Sequence, residues 1–175
     1  MTDQPISLPR VVYNSGNNEW YTPVNYINSV KKVFGGDIEL DPASCFQANK
    51  TVLAKRYYDK ELNGLSMPWE GTVFLNPPYA RGAIDAFIYK LQREIPSITQ
   101  FIVLVNNATD TDWCRRLASI SDVAVFTRRI KFLDESGQAV GSPTQGQVFF
   151  YRGQNTDGFC SEFSQYGWVA HTSWR

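Results

Sequence analysis

The 175-residue chain has one histidine, three cysteines and no net charge, with 17 basic and 17 acidic side chains. A Ser-His-Asp or Cys-His mechanism would depend on His171 alone, so the sequence argues against those classes of enzyme. Cys45, Cys114 and Cys160 are odd in number and form no CxxC pair, which predicts reduced thiols and no metal site. Zero net charge neither supports nor excludes a nucleic-acid partner, because such binding depends on a local basic face.

Long apolar runs are also absent from the sequence. No stretch approaches the roughly 18 apolar residues of a membrane span, and the first ten residues lack the apolar core of a secretory signal. We therefore expect a cytoplasmic protein that does not contact membranes. With 43% hydrophobic residues, the chain can form one folded domain. We predict a loose polar arm over residues 1–18 and a single, monomeric domain over residues 19–175.

Helical and strand patterns alternate along the chain. Apolar spacing predicts helices over residues 23–34, 46–56, 82–95 and 111–120, and apolar runs predict strands at 38–40, 72–75, 101–105 and 122–126. Thr22 is a candidate N-cap of the first helix. Residues 130–133 and 147–152 are predicted to pair as an antiparallel hairpin, and residues 153–175 have no assignment. This order predicts an α/β fold with a mostly parallel sheet that ends in the hairpin.

Two of the predicted strands end at proline. The first stops at Asp41 and Pro42, and the second stops at Asn76, Pro77 and Pro78, since proline cannot donate to a strand ladder. Sheets of this kind bind ligands at the carboxyl ends of their parallel strands. The two proline breaks therefore predict one shared site.

The segment from Asn76 to Tyr79 suits a flat substrate that carries an amine. Adenine's exocyclic amine is a poor nucleophile because its lone pair is delocalised into the ring. The Asn76 side-chain carbonyl and the rigid Pro77 carbonyl could each accept one amine hydrogen, which favours a pyramidal nitrogen. Tyr79 offers a ring for stacking, worth about 1–3 kcal/mol per base. The alternative interpretation is a purely structural turn.

The ordered set of motifs resembles the phage-type DNA N-6-adenine methyltransferases of the Dam family. The matching segments are EWYTP (19–23), IELDPAS (38–44), NGL then W (63–69), VFLNPPY (73–79) and RRIKF (128–132). The resemblance implies a Rossmann-like methyltransferase fold that uses S-adenosylmethionine and no metal. It also implies methyl transfer to N6 of an adenine rotated out of double-stranded DNA. A phage enzyme would act in the cytoplasm of the host cell.

The resemblance also implies roles for individual residues. Asn76, Pro77, Pro78 and Tyr79 match the catalytic loop. The candidate cofactor-binding residues are Tyr21, Thr22, Pro23, Asp41, Pro42, Ala43, Ser44, Asp59 and Asn63, with Asp59 as the candidate acid for the ribose hydroxyls. The candidate DNA-binding residues are Arg81, Arg128, Arg129 and Lys131. Base recognition would come from loops at 80–82, 107–112 and 128–146, because the sequence has no separate target-recognition domain.

The chain departs from the family pattern in two ways. After Asp-Pro-Ala the family continues Cys-Gly-Ser-Gly, whereas this chain continues Ser-Cys-Phe-Gln-Ala-Asn without glycine. Only 35 positions separate Asp41 from Asn76, too few for two complete strand–helix units. Two alternatives therefore stay open: an amino methyltransferase that acts on protein or RNA, and an inactive DNA-binding relative. Asp41, Asp59 and Asn63 could be ordinary turn residues, and the basic residues could be a solvated face.

Overall fold

A seven-stranded sheet lies at the centre of the described part of the chain, with strand order β2-β1-β3-β4-β6-β5-β7. The computed structural model describes residues 20–80, 82–139 and 144–172. The strands are β1 Leu40–Asp41, β2 Arg56–Tyr57, β3 Gly71–Leu75, β4 Ile98–Asn106, β5 Val123–Thr127, β6 Gln147–Arg152 and β7 Gly167–His171. The helices are α1 Val24–Phe34, α2 Phe46–Val52, α3 Ala83–Glu94, α4 Asp112–Ile120 and α5 Thr156–Phe163. The predicted arm and Arg81 lie outside the described residues.

The direction of the strands brings five carboxyl ends to one edge of the sheet. Strands β1, β2, β3 and β4 are parallel neighbours, and β6 is antiparallel to both β4 and β5. Strand β5 therefore runs in the same direction as the first four, and β7 runs against it. The α/β prediction is confirmed, with the parallel part of the sheet at one end. The loops that follow β1, β2, β3, β4 and β5 all leave from the same edge.

Two apolar clusters cover the two faces of the sheet. Helices α3 and α4 pack on one face, and α1, α2 and α5 pack on the other. Successive residues of β4 alternate between them: Phe101 and Val103 belong to the first cluster, and Ile102 and Leu104 to the second. This confirms the prediction that 101–105 is a strand covered on both faces. Each such side chain contributes about 1.5–3 kcal/mol by burial, so the strand ends have rigid support.

The predicted hairpin is wrong in one of its strands. Residues 130–133 form no strand, although Ile130 and Phe132 are buried while the residues between and before them are exposed. The Ile130 N–H donates to a glutamine side chain instead of a strand, and Leu133 makes only isolated bridges to Tyr21 and Ala139. Strand β6 pairs with β4 and β5. The residues without a sequence assignment form α5 and β7.

The start of α1 also differs from the prediction. The N-cap is Pro23, which makes no side-chain capping bond, and the helix begins at Val24, whose side chain is exposed. Gly35 ends the helix at φ 75°, a left-handed conformation that glycine adopts without strain. The interpretation of Thr22 as a helix cap is therefore wrong, and its buried hydroxyl has another partner.

None of the helices in the described ranges is long and apolar enough to cross a membrane.

Candidate active site

The two proline breaks lie side by side at one edge of the sheet. Strands β1 and β3 are parallel neighbours, with Leu40 in register with Val73. Asp41 is the last residue of β1, and Asn76 comes directly after β3. The backbone turns away at both points because the next residues are prolines that cannot extend the ladder. The structure therefore brings the predicted cofactor-binding and catalytic segments together.

Asn76 is held by Thr22 in a way that leaves an acceptor free. Its side-chain Nδ2 donates a hydrogen bond to Thr22 Oγ1 at 3.4 Å. Among the described residues, neither Asn76 Oδ1 nor the carbonyl of the buried Pro77 accepts a hydrogen bond. Pro78 is half-buried and stiffens the turn that follows. The end of β3 thus carries two unpaired acceptors on a rigid backbone.

Tyr79 has an exposed ring and a buried hydroxyl. The side chain is 45% exposed, yet its hydroxyl accepts a hydrogen bond from the backbone N–H of Asn106 at the end of β4. Burial raises the pKa of the Tyr79 phenol, and the Asn106 N–H only partly offsets that effect. Tyr79 is therefore neutral at physiological pH. Its ring is fixed at the hydroxyl end, and nearly half of the residue stays exposed.

Asp41 is a buried carboxyl group without an opposite charge. It is 3% exposed, accepts a hydrogen bond from Ala43 N at 3.2 Å, and forms no ion pair with the described residues. Burial raises the pKa of Asp41 to about 7, while the Ala43 N–H and the nearby Ser44 hydroxyl lower it in part. Ser44 Oγ is itself buried and makes no hydrogen bond of ordinary geometry within the described residues. The Asp41 carboxyl group and the Ser44 hydroxyl can therefore both form hydrogen bonds to a ligand.

A turn at Asn63 and Gly64 closes over the Asp41 strand end. A Cβ atom at Gly64 would lie 1.9 Å from the carbonyl oxygen of Pro42, so only glycine fits there. The buried Trp69 donates from Nε1 to the Gly64 carbonyl at 2.8 Å. Asn63 adopts a left-handed conformation at φ 50° and donates from its side chain to Ser66 Oγ at 3.1 Å. Asn63 is therefore held beside Pro42, at the predicted cofactor-binding segment.

Asp59 lies at the same edge because of a strand that sequence reasoning missed. The short strand β2 pairs with β1, and Tyr58 N donates to the Asp41 carbonyl at 3.0 Å. Asp59 follows directly, and its Oδ1 accepts from the backbone N–H groups of Glu61 and Leu62. Spacing between the motifs left too little room for a full strand–helix unit, but two strand residues suffice to place this carboxylate.

The segment before α1 covers the site from another direction. Tyr21 is buried and exchanges two backbone hydrogen bonds with Leu133, at 2.8 and 2.9 Å. The Cys45 thiol lies 3.9 Å from the Tyr21 hydroxyl. Pro23 is half-buried and leads the chain into α1. Tyr21 and Thr22 thus connect Asn76 to the segment that follows β5.

The basic residues follow β5 at the carboxyl edge of the sheet. Arg128, Arg129 and Lys131 are exposed, while Ile130 between them is buried. Within the described ranges, these three side chains form no ion pair with an acidic residue. Their charge is therefore available to an anionic partner such as a phosphate backbone. Arg81 falls outside the described residues, so its predicted role stays a prediction.

Two polar residues at this edge were missed by sequence reasoning. Asn106 ends β4 and anchors the Tyr79 hydroxyl, and Gln147, which begins β6, is buried and bonds the Asn106 side chain. The sequence signal for Gln147 was a polar residue placed directly before the apolar run 148–151. No group of three or more potential metal ligands occurs in the described part of the chain.

Comparison with protein families supports the reading of these motifs. The model of the DNA N-6-adenine-methyltransferase (Dam) family matches residues 12–164. The chain belongs to this family. The Dam family match includes both proline breaks and the basic segment, and it confirms the resemblance seen in the sequence. Membership indicates methylation of adenine N6 in DNA. A comparison with curated proteins found no match.

Proposed function

We propose that this Dam family member transfers a methyl group from S-adenosylmethionine to N6 of an adenine rotated out of double-stranded DNA. The observation that carries the proposal is a pair of acceptors at the end of β3, Asn76 Oδ1 and the Pro77 carbonyl, to which no described residue donates a hydrogen bond. They lie beside the strand end that holds the buried Asp41. A donor-bearing base and a cationic cofactor would thus meet at adjacent strands of a Rossmann-like fold.

The polar side chains near Asp41 fit S-adenosylmethionine. The cofactor supplies a methyl group on a sulfonium centre, and it also carries an ammonium group and two ribose hydroxyls. The Asp41 carboxylate would hold the ammonium group, because a buried carboxylate gains most from an opposite charge. Ser44 Oγ, which has no partner in the described structure, would bind a polar group of the same ligand. Asp59 would accept the ribose hydroxyls through its second oxygen.

The missing glycines after Asp41 do not leave this strand end without a close backbone contact. Gly64 meets the Pro42 carbonyl so closely that a side chain would overlap it. A glycine from a separate turn therefore makes the close approach that the sequence after Asp41 lacks. Tyr21, Thr22, Pro23, Ala43 and Asn63 would form the remaining walls of the cofactor site.

The catalytic loop would act through fixed acceptors and a fixed ring. Thr22 Oγ1 accepts a hydrogen bond from the Asn76 amide nitrogen. The amide oxygen would therefore be left to accept a hydrogen bond from the substrate. Asn76 Oδ1 and the Pro77 carbonyl would each hold one hydrogen of the amine, which frees the nitrogen lone pair as it becomes pyramidal. The cofactor would supply the methyl group and leave as a neutral thioether, and the amine proton, acidic once the nitrogen is methylated, would pass to water. Tyr79 stays neutral and stacks on the base.

Arg128, Arg129 and Lys131 would contact the phosphates of the duplex. They are exposed at the edge of the sheet from which the loops after β1, β3 and β4 also leave. A duplex held there would face the catalytic loop. Flipping is required because the amine is inaccessible in stacked DNA. Base recognition would come from loops 107–112 and 128–146, which leave the same edge. One monomer would be sufficient, since each of these parts comes from one chain.

The experiment is methyl transfer from labelled S-adenosylmethionine to three matched substrates. Duplex DNA is expected to acquire N6-methyladenine, identified by mass spectrometry, while single-stranded RNA and a glutamine-containing peptide stay unlabelled. Asn76→Ala serves as the control, because it removes one acceptor and keeps the cofactor site. Labelling of RNA or peptide but not of DNA would contradict the proposed substrate. Calorimetric binding of the cofactor without any transfer would support the inactive relative.

A further inference from the structure

Gln147 is a buried polar residue at the start of an otherwise apolar strand. Gln147 is 1% exposed, and the residues of β6 that follow it are VFFYR. Its Oε1 accepts from Ile130 N at 2.6 Å. Its Nε2 donates to the Gln145 carbonyl at 2.9 Å and to Asn106 Oδ1 at 3.2 Å. The one amide thus bonds its own preceding segment at Gln145 and two distant segments, at Ile130 and at Asn106.

Two of those segments belong to different parts of the proposed reaction. Ile130 lies between Arg129 and Lys131, so its backbone N–H fixes the centre of the basic segment. Asn106 donates its own backbone N–H to the Tyr79 hydroxyl. Gln147 therefore joins the phosphate-contacting segment to the residue that holds the stacking ring, through one planar side chain.

We propose that Gln147 is a positioning residue that sets Tyr79 relative to the basic segment. A duplex bound through that segment would then deliver its rotated base to a ring at a fixed place. The inference rests on the proposed function, since it assigns no chemistry to Gln147 itself. Gln147 acts through Asn106 and touches neither base nor cofactor.

The other end of the basic segment reaches the catalytic loop by a separate route. Leu133 pairs with Tyr21, and the next residue, Thr22, accepts the hydrogen bond from Asn76. Loss of the Gln147 amide would therefore leave the two amine acceptors in place. The expected effect is a partial loss in the placement of Tyr79 relative to the basic segment, of the size of one or two hydrogen bonds.

The test compares Gln147→Met with Gln100→Met. Gln100 is on β4 at the opposite edge of the sheet, where its amide bonds the Tyr151 hydroxyl and the Phe34 carbonyl. Both variants remove a side-chain amide of the same type, but only one lies near Tyr79. The substrate is a duplex with the adenine that the parent protein methylates, mapped by sequencing, and a second duplex carries 2-aminopurine at that position.

We expect Gln147→Met to transfer methyl groups about tenfold more slowly in single turnover. The 2-aminopurine fluorescence of its complex should differ from that of the parent complex, because the flipped base no longer stacks in the same way. Duplex affinity and its salt dependence should be unchanged, since all three basic residues remain. Gln100→Met should match the parent protein in rate and in fluorescence.

Parental rate and fluorescence in Gln147→Met would overturn the inference, and so would an equal loss in Gln100→Met. If Gln147→Met fails to fold, Asn106→Ala decides, because it removes one partner of the amide and keeps the N–H that binds Tyr79. Parental transfer by Asn106→Ala would then refute the inference. An active parent with an unaffected Gln147→Met refutes this inference alone, whereas a parent without DNA methylation refutes the proposed function and the inference with it.

Discussion

The ends of β1 and β3 use the same backbone device and differ in everything that their side chains do. Each strand stops at proline, and the two lie side by side in parallel register. The β1 end buries an ionisable group, Asp41, which forms no ion pair with any residue that the structure describes. The β3 end carries neutral groups, and its side chains are held by hydrogen bonds to Thr22 and Asn106.

The difference indicates a division of labour between the two strand ends. A buried carboxyl group is costly in the free protein and becomes favourable only when a cation arrives, which suits binding. Neutral acceptors cost less in the free protein and are already in place, which suits stabilisation of a transition state. Substitutions at the two ends should therefore have opposite signatures: free-protein stability and cofactor affinity at β1, and transfer rate at β3.

The largest expected effect is on free-protein stability in Asp41→Asn. The pKa of Asp41 is about 7 in the folded protein against an ordinary value of 3.8, so the folded state favours the protonated form. The free energy of unfolding of the parent therefore falls as the pH rises from about 4 to about 7, because the unfolded state ionises first, and it stays low above that range. At about pH 8 we expect Asn to raise the free energy of unfolding, on the order of 4 kcal/mol.

Urea unfolding of the cofactor-free protein at about pH 4 and at about pH 8 measures this effect. Asp37→Asn is the control for loss of one negative charge, because Asp37 is exposed beside Lys55. The same Asp41 variant should lose the stabilisation that S-adenosylmethionine gives the parent, about 2.7 kcal/mol at a hundredfold excess over Kd. A pH-independent difference between parent and variant would show that Asp41 is not a penalised buried acid.

The second prediction concerns Asn76. Asn76→Ala removes one of the two acceptors, so single-turnover methyl transfer should fall about 10²–10³-fold while calorimetric cofactor affinity stays close to that of the parent. Asn76→Asp keeps an acceptor and the side-chain shape, and it should retain more activity than the alanine variant. A large loss of cofactor affinity in Asn76→Ala, with little change in rate, would place Asn76 in the binding half of the comparison.

The sequence located both strand ends because its strongest signals are local. Proline lacks the N–H that a strand ladder needs, so the prolines at 42, 77 and 78 located the two strand ends without a structure. The helix over 83–94 and the strand over 98–106 also follow from apolar spacing. Their arrangement as neighbours required only the rule that parallel strands share an edge.

The parts that sequence reasoning missed depend on contacts between distant segments. The strand β2 has two residues, too few for a periodic pattern, and it exists because β1 offers it a partner. Residues 130–133 show strand-like alternation, yet a glutamine side chain from β6 takes the Ile130 N–H. Thr22 reads as a helix cap until Asn76, 54 positions away, is seen to donate to it. Side-chain hydrogen bonds of this range leave no local pattern.

The third prediction uses Tyr79→Phe, which keeps the stacking face and removes the anchor on Asn106. The ring would no longer be fixed at its hydroxyl end, and the Asn106 N–H would lose its partner. Methyl transfer should fall about tenfold, with an altered 2-aminopurine signal in the duplex complex. Tyr79→Ala should lose more, because it also removes the stacking ring. A phenylalanine variant with parental rate would show that stacking alone carries the contribution of Tyr79.

The smallest effect is expected at the basic segment, which we propose holds the duplex for both strand ends. Arg128→Ala removes one exposed cation from the edge of the sheet, so duplex affinity should fall for all sequences alike. The slope of log affinity against log salt should decrease in magnitude by about one, and the transfer rate at saturating duplex should stay near the parental value.

Arg93→Ala is the matched control for Arg128→Ala, because Arg93 is exposed near the end of α3, where the chain returns to the opposite edge of the sheet. Its slope should equal that of the parent. Sequencing of methylated DNA from cells that express each variant gives the remaining measurement. A changed methylation site with an unchanged salt slope in Arg128→Ala would show that Arg128 reads a base. It would then belong with the residues that determine specificity, and the phosphate contacts would have to come from Arg129 and Lys131.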